Sequence, residues 1–195
     1  MERLILASSS PRRRQLLRQI GLEFDVVPSG VREDFNEGES PRDHVLRLAE
    51  VKARKVGTIY PDRWIIGADT VVSIDGMILG KPQTESEARQ MLLTLSGRDH
   101  LVVTGVSVFQ GTEGNGETIA VETTVRMKTL IPEEINWYIR TGEPFDKAGG
   151  YAIQERGAFM IQRIEGSYTN VVGLPLCELM EVLTRMGFTD LLRNS

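Results

Sequence analysis

Apolar residues along this chain fall into short continuous runs and into stripes with helical spacing, with polar turns between them. Leu4 to Ala7 is a short apolar run and predicts a buried strand. Ser8-Ser9-Ser10-Pro11 then predicts a helix start, with Ser10 as N-cap and Pro11 in the first turn. Leu16, Leu17 and Ile20 form its buried side, and Gly21 ends it. Phe24 to Val27 predicts a second strand, followed by a polar loop from Ser29 to Glu39. Ser40-Pro41 opens the next helix, with Val45, Leu48, Ala49 and Val56 on one stripe. Trp64 to Ala68 is a strong strand that runs on through Asp69 to Val72, and Asp75-Gly76 marks a hairpin turn. Thr84 and Glu87 form a capping box for a third helix, which Gly97 closes. Leu101 to Phe109 reads as a central strand, and Gln110 to Gly116 as a flexible loop. Ile119, Val121, Thr123, Val125 and Met127 alternate as a half-buried strand does. Pro132 to Thr141 predicts a helix ending at Gly142, Phe159 to Ile161 a strand, and Leu174 to Met186 a last helix buried through Leu176, Leu179, Met180 and Leu183. Interleaved strands and helices with hairpins among them predict an α/β fold with a mixed, twisted sheet and flanking helices.

Composition narrows the function classes. The 195 residues suffice for one core, with room for two lobes about a cleft, and are too few for two domains, so residues 1–195 are read as a single domain. A net charge of −4 argues against a protein that coats nucleic acid. With only Cys177, His44 and His100, neither a disulfide framework nor a Cys/His zinc site can be built, which fits a reducing cytoplasm. No apolar run approaches the ~20 residues that a membrane-spanning helix needs, and no secretory leader pattern precedes Leu4.

Several segments carry candidate chemistry. Ser8 to Arg13 is a hydroxyl-rich turn at a helix start, where backbone N–H groups and the helix dipole favour an anion. Arg12 and Arg13 in that first turn oppose the dipole, which a negative ligand would offset; solvated arginines on a capped helix are the plain alternative. Lys52 falls on the apolar stripe of its helix, so it either snorkels to the rim or reaches into a site. Asp69 interrupts Ile65, Ile66, Val71 and Val72, as a metal ligand, a base or a structural cap would. With Glu33 it could hold Mg²⁺ or Mn²⁺, which take oxygen ligands. Gly76 to Pro82 resembles a P-loop but is shorter and has Pro82 where Ser or Thr is required, so Lys81 is read as a cation held in a rigid turn. In Lys147 to Gln154 the small residues permit close approach of backbone to a ligand, and the Gln154 amide could offer both donor and acceptor to a base edge; a glycine bend before a strand is the plain alternative and the better reading of this segment alone. Gly166 to Pro175 reads as a polar turn before a buried helix.

The ordered motifs SSSPRR, GADTVV, GKP, SGRDH, DKAGGYAIQ and GSYTNVVGLP resemble the Maf, or septum-formation-inhibitor-like, family from Leu4 to about Met186. The resemblance implies a fold akin to the inosine-triphosphate pyrophosphatases, with two lobes around a deep nucleotide cleft, and a homodimer. It also implies divalent-metal-dependent release of pyrophosphate from a nucleoside triphosphate. Matched residue by residue, Asp69 corresponds to the family's general base and metal-associated carboxylate, with Lys52 and Lys81 beside it in catalysis and Glu33 on the metal side. Ser8, Arg13 and Lys147 fall at phosphate-side or cleft positions. Arg12, Thr70 and Gln154 match positions tied to substrate choice in the branch that acts on dTTP and UTP. Gly150 and Gly30 depart from the family pattern, standing where alanine and an acidic residue are common. The implied role is house-cleaning of the nucleotide pool; the alternative of another class is a nucleotide-binding regulator of septum formation without turnover.

Overall fold

Capped amphipathic segments and apolar runs condense into one mixed sheet with helices packed on it, in a computed structural model that describes residues 4–111 and 114–188. The strands are β1 (Leu4–Leu6), β2 (Phe24–Val26), β3 (Trp64–Ile74), β4 (Met77–Leu79), β5 (Asp99–Gln110), β6 (Asn115–Met127) and β7 (Ile161–Glu165). The helices are α1 (Pro11–Gln19), α2 (Pro41–Gly57), α3 (Glu85–Leu95), α4 (Pro132–Arg140), α5 (Tyr168–Val172) and α6 (Leu176–Arg185). The sheet order is β2-β1-β3-β5-β6-β7, with β4 paired to β3. β1 runs parallel to both β2 and β3, whereas β3–β4 and β6–β7 are antiparallel, so the sheet is mixed as the pattern predicts.

Helix starts follow the capping chemistry of the sequence. Ser10, Ser40 and Thr84 each accept a hydrogen bond from a first-turn N–H, of Arg13 (3.4 Å), Asp43 (3.1 Å) and Glu87 (3.1 Å). Glu87 does not close the reciprocal bond to the cap residue: its carboxylate takes the Gln83 N–H at 2.7 Å instead. Asp75 and Gly76 both adopt left-handed φ, 52° and 78°, as a two-residue hairpin turn requires.

The chain groups into two compact units. The first gathers the described residues up to Asp69, within Thr104–Val121, and from Gly173 onward; the second holds Thr70–Val103 and Glu122–Val172. Each has its own core. In the first unit Ile5, Ala7, Ala53, Val56, Ile65 and Phe109 pack together. In the second, Val72, Leu92, Val125, Met127, Ile135 and Tyr138 are among the buried cluster.

The C-terminal half departs locally from the sequence expectation. Residues Phe159 and Met160 end a 3₁₀ turn (Glu155–Met160), and the strand begins only at Ile161. The polar turn before the last helix contains α5, in which Asn170 is fully buried and its amide donates to Val102 O at 3.0 Å and Thr123 Oγ1 at 2.9 Å. Of the loop expected over Gln110 to Gly116, Gln110 belongs to β5 and Asn115 and Gly116 to β6, while residues 112 and 113 lie outside the described residues.

Candidate active site

Two glycines bring α2 close to the sheet. A Cβ on Gly67 of β3 would lie 2.2 Å from Ala49 O, and one on Gly105 of β5 would lie 2.1 Å from Val45 O, so helix backbone rests directly on both strands. His44, Leu48 and Lys52 recur at every fourth position and therefore share the face of α2 turned to the sheet. His44 and Lys52 are 1% and 5% exposed, and both are aimed at Asp69, itself buried on β3. Lys52 Nζ donates to Asp69 Oδ1 at 2.7 Å and to Glu33 Oε1 at 2.6 Å. His44 Nε2 lies 3.8 Å from Asp69 Oδ2, within ion-pair range but too far for a hydrogen bond. One helix thus sets two basic groups against the two oxygens of a single carboxylate.

His44 is itself anchored. Its Nδ1 is 2.9 Å from Glu39 Oε2, and its ring stacks on Phe35 with centroids 4.4 Å apart. Arg47 forks onto Glu39 at 2.5 and 2.7 Å. That fork, helped by His44 and opposed by burial, holds the Glu39 carboxyl at about 2, below the usual carboxylate range. Glu39, His44 and Arg47 were not among the site residues expected from the sequence. The spacing of His44 to Lys52 along one helix face was the signal that could have found His44.

The start of α1 is turned inward. Arg13 is buried, and its Nε donates to Gly173 O at 2.8 Å, its Nη1 to Ala68 O at 2.9 Å and to Ser8 Oγ at 3.2 Å. Burial lowers the Arg13 pKa, while Asp69 and Glu33 act to raise it. Ser8 Oγ also accepts the Ser10 N–H at 3.2 Å. The guanidinium therefore braces the residue preceding Asp69. Arg12, in the same turn, is half-buried.

In the second unit, the Gly80-Lys81-Pro82 turn and the Lys147-Ala148-Gly149 segment meet through a Gly149 N–H to Gly80 O bond of 3.0 Å. Lys81 is exposed. Lys147 is buried, its Nζ donating to Glu143 O at 2.9 Å and Asp146 Oδ1 at 2.5 Å. Thr70 follows Asp69 on β3, and Gln154 stands half-buried at the head of the Glu155–Met160 turn. The residues singled out in sequence thus form a buried carboxylate–ammonium centre in the first unit and a lysine-bearing pair of loops in the second.

The sequence profile of the Maf-like protein family matches residues 3–186. This chain belongs to that family. Among curated relatives, the Maf-like chain is 50% identical over 186 residues to a dTTP/UTP pyrophosphatase of Syntrophus aciditrophicus, covering 95% of this chain and 91% of that one. It is 53% identical to a dTTP/UTP pyrophosphatase of Geotalea uraniireducens, covering 94% and 95% of the two chains. Among solved structures it is similar to a HAM1 protein from Coxiella burnetii at 17% identity and a TM-score of 0.49, covering 95% of this chain and 100% of that one. Among the described residues of the Maf-like chain, no helix is long and apolar enough to cross a membrane.

Proposed function

We propose that this chain hydrolyses dTTP and UTP to the nucleoside monophosphate and pyrophosphate. The observation that carries the reading is the buried Lys52–Asp69 pair with Glu33 on the same ammonium, in a chain whose near-full-length relatives bear the name dTTP/UTP pyrophosphatase. The family resemblance extends the reading to a cytoplasmic homodimer that cleans the nucleotide pool.

Glu33 and Asp69 are the residues that would hold a divalent cation, Mg²⁺ or Mn²⁺. In support, Glu33 Oε1 and Asp69 Oδ1 converge on one point of positive charge, 2.6 and 2.7 Å from Lys52 Nζ, and both are the hard oxygen donors such ions take. Among the described residues no group of three or more His, Cys, Asp or Glu gathers to hold a metal, so the cation reading rests on Glu33 and Asp69 alone. When bound, the cation supplies Lewis acidity at the phosphate and makes water easier to deprotonate.

The chain's own residues supply the rest. Lys52 keeps Asp69 oriented, and Asp69 positions a water and receives its proton as the water oxygen bonds to the α phosphorus and the α–β phosphoanhydride bond breaks, pyrophosphate leaving with the bridging oxygen. Arg13, braced by Ser8, holds the end of β3 through Ala68 and so sets where Asp69 stands. Lys52, Lys81 and Lys147 offset charge on the triphosphate. Arg12 and Thr70 contact the nucleotide, and Gln154 reads the pyrimidine edge, because its amide can both donate and accept.

Hydrolysis of dTTP in ¹⁸O-labelled water tests the reading. Label in dTMP, with unlabelled pyrophosphate, is expected. Label confined to pyrophosphate moves the attack to the β phosphorus and requires another placement of Asp69. Free phosphate with dTDP as first product refutes the pyrophosphatase assignment.

A further inference from the structure

Glu143 follows the left-handed Gly142 (φ 76°), just beyond the end of α4. Its carboxylate is the meeting point of three donors. Oε1 accepts the Tyr138 hydroxyl at 3.0 Å and the Gly157 N–H at 3.0 Å, and Oε2 accepts the Arg156 N–H at 3.2 Å. Tyr138 is fully buried, and its hydroxyl oxygen in turn accepts the Ala152 N–H at 3.1 Å. Burial first, and the neighbouring Glu143 charge second, raise the Tyr138 pKa, so the hydroxyl keeps its proton and donates a hydrogen bond to the carboxylate. The segment from Ala152 to Gly157 is therefore pinned near both ends by one carboxylate–tyrosine pair, and Gln154 lies between the pins.

The pinned segment does not hold an ordinary backbone. Glu155, next to Gln154, has a φ of 57°, which a residue with a side chain keeps only where its surroundings impose it. The two ends of the segment also touch: a Cβ on Gly157 would lie 2.3 Å from Ala152 O. Only a carboxylate suits this place, because all three partners are donors; a glutamine would turn an NH₂ group toward one of them. The carbonyl of Glu143 additionally holds Lys147 Nζ at 2.9 Å. Glu143, Lys147, Glu155 and Arg156 border one polar cavity of about 560 Å³.

We infer that Glu143 is a positioning residue for base selection: it fixes the Ala152–Gly157 segment so that the Gln154 amide is presented to the nucleotide in one orientation. The inference rests on the proposed reading of Gln154 as the base-side residue. A site that discriminates by matched hydrogen bonds loses discrimination when its amide is free to rotate or swing. Removing the clamp therefore degrades choice of base more than it degrades the chemical step.

The test compares wild type, Glu143→Gln and Tyr138→Phe. Amide exchange at Ala152, Arg156 and Gly157 is read by NMR without nucleotide. Selectivity is read as the ratio of kcat/KM for dTTP over dATP and, independently of turnover, as the ratio of their Kd values. Glu143→Gln is expected to speed exchange at Arg156 and Gly157 by about tenfold or more. It is expected to narrow both selectivity ratios by about tenfold, through KM, with kcat changed by less than about threefold. Tyr138→Phe is expected to do the same with the effect centred on Ala152, which keeps the test open should Glu143→Gln fail to fold. Faster exchange with unchanged selectivity overturns the inference, as does a uniform loss of kcat for every triphosphate. A wild-type protein that binds dTTP in preference to dATP yet releases no pyrophosphate refutes the proposed function alone, and the Kd ratios still decide for or against the clamp.

Discussion

Replacing Lys52 with methionine removes a buried ammonium but keeps most of its apolar stem, so the change isolates charge from packing. Lys52 and Asp69 side chains are 6% and 7% exposed, whereas Glu33 is 45% exposed. The half-exposed link to Glu33 contributes less than about 1 kcal/mol. The buried link is different in kind: taking away one partner strands a carboxylate away from water, at a cost of about 3–5 kcal/mol. The nearby Arg13 charge, which interacts with Asp69, softens that loss. The expected cost is therefore at the lower end, about 3 kcal/mol, or about 6–12 °C in Tm for a chain of this size. Lys52→Met combined with Asp69→Asn removes the stranded charge as well, and its total cost should fall to about 1 kcal/mol. Urea unfolding at neutral pH measures both. The two tryptophans report separately, Trp64 from the first unit and Trp137 from the second, so a two-state assumption is checked in the same experiment. The penalty should persist at high salt, because the pair is shielded from solvent ions. A single-variant cost below about 1 kcal/mol, or a double variant that costs the sum of its singles, refutes the stranded-charge reasoning.

Asp69→Asn should fold, since the amide oxygen can still accept from Lys52, but turnover should drop by at least ~100-fold; near-normal turnover at saturating Mg²⁺ would remove Asp69 from the chemistry. Gly67→Ala places a methyl 2.2 Å from Ala49 O and 2.7 Å from Ala53 N, both backbone atoms. The helix must shift, and a loss of about 2–3 kcal/mol in urea midpoint terms is expected together with reduced activity; an unchanged midpoint contradicts the close approach of α2. Burial holds the His100 pKa at about 4, beside the Tyr151 hydroxyl 2.6 Å away. The unfolded chain takes up that proton from about pH 6.5 downward and the folded chain only near pH 4, so stability should fall by about 3 kcal/mol across that window as pH drops. Glu39, held at about 2, adds its own loss only from about pH 4.5 downward. A His100→Gln variant should flatten the upper window, and parallel profiles of the two proteins would assign the loss to other groups.

Most secondary structure was written locally. Ser10-Pro11, Ser40-Pro41, Thr84 and Asp75-Gly76 decide helix starts and a hairpin through hydrogen bonds and φ preferences within a few residues, so the neighbouring sequence suffices to read them. Lys52 and Asp69 were visible for the same reason, each as a charge breaking an apolar pattern. What they do to one another was not visible. Their pairing depends on α2 settling onto β3 and β5 at Gly67 and Gly105, a contact that no local preference encodes. Arg13 is the sharper case: its chain position suggested an anion, yet its side chain bonds to Ala68 and Gly173, 55 and 160 residues away. The five-residue α5 is too short to stand on propensity, and it forms where the buried Asn170 amide finds Val102 and Thr123. Sequence by itself determined which groups had to be satisfied, through periodicity, capping and the presence of charge in apolar runs. Only the tertiary structure decided which partner satisfies each, because a buried charge takes whatever opposite charge or dipole the packing of distant segments delivers to it.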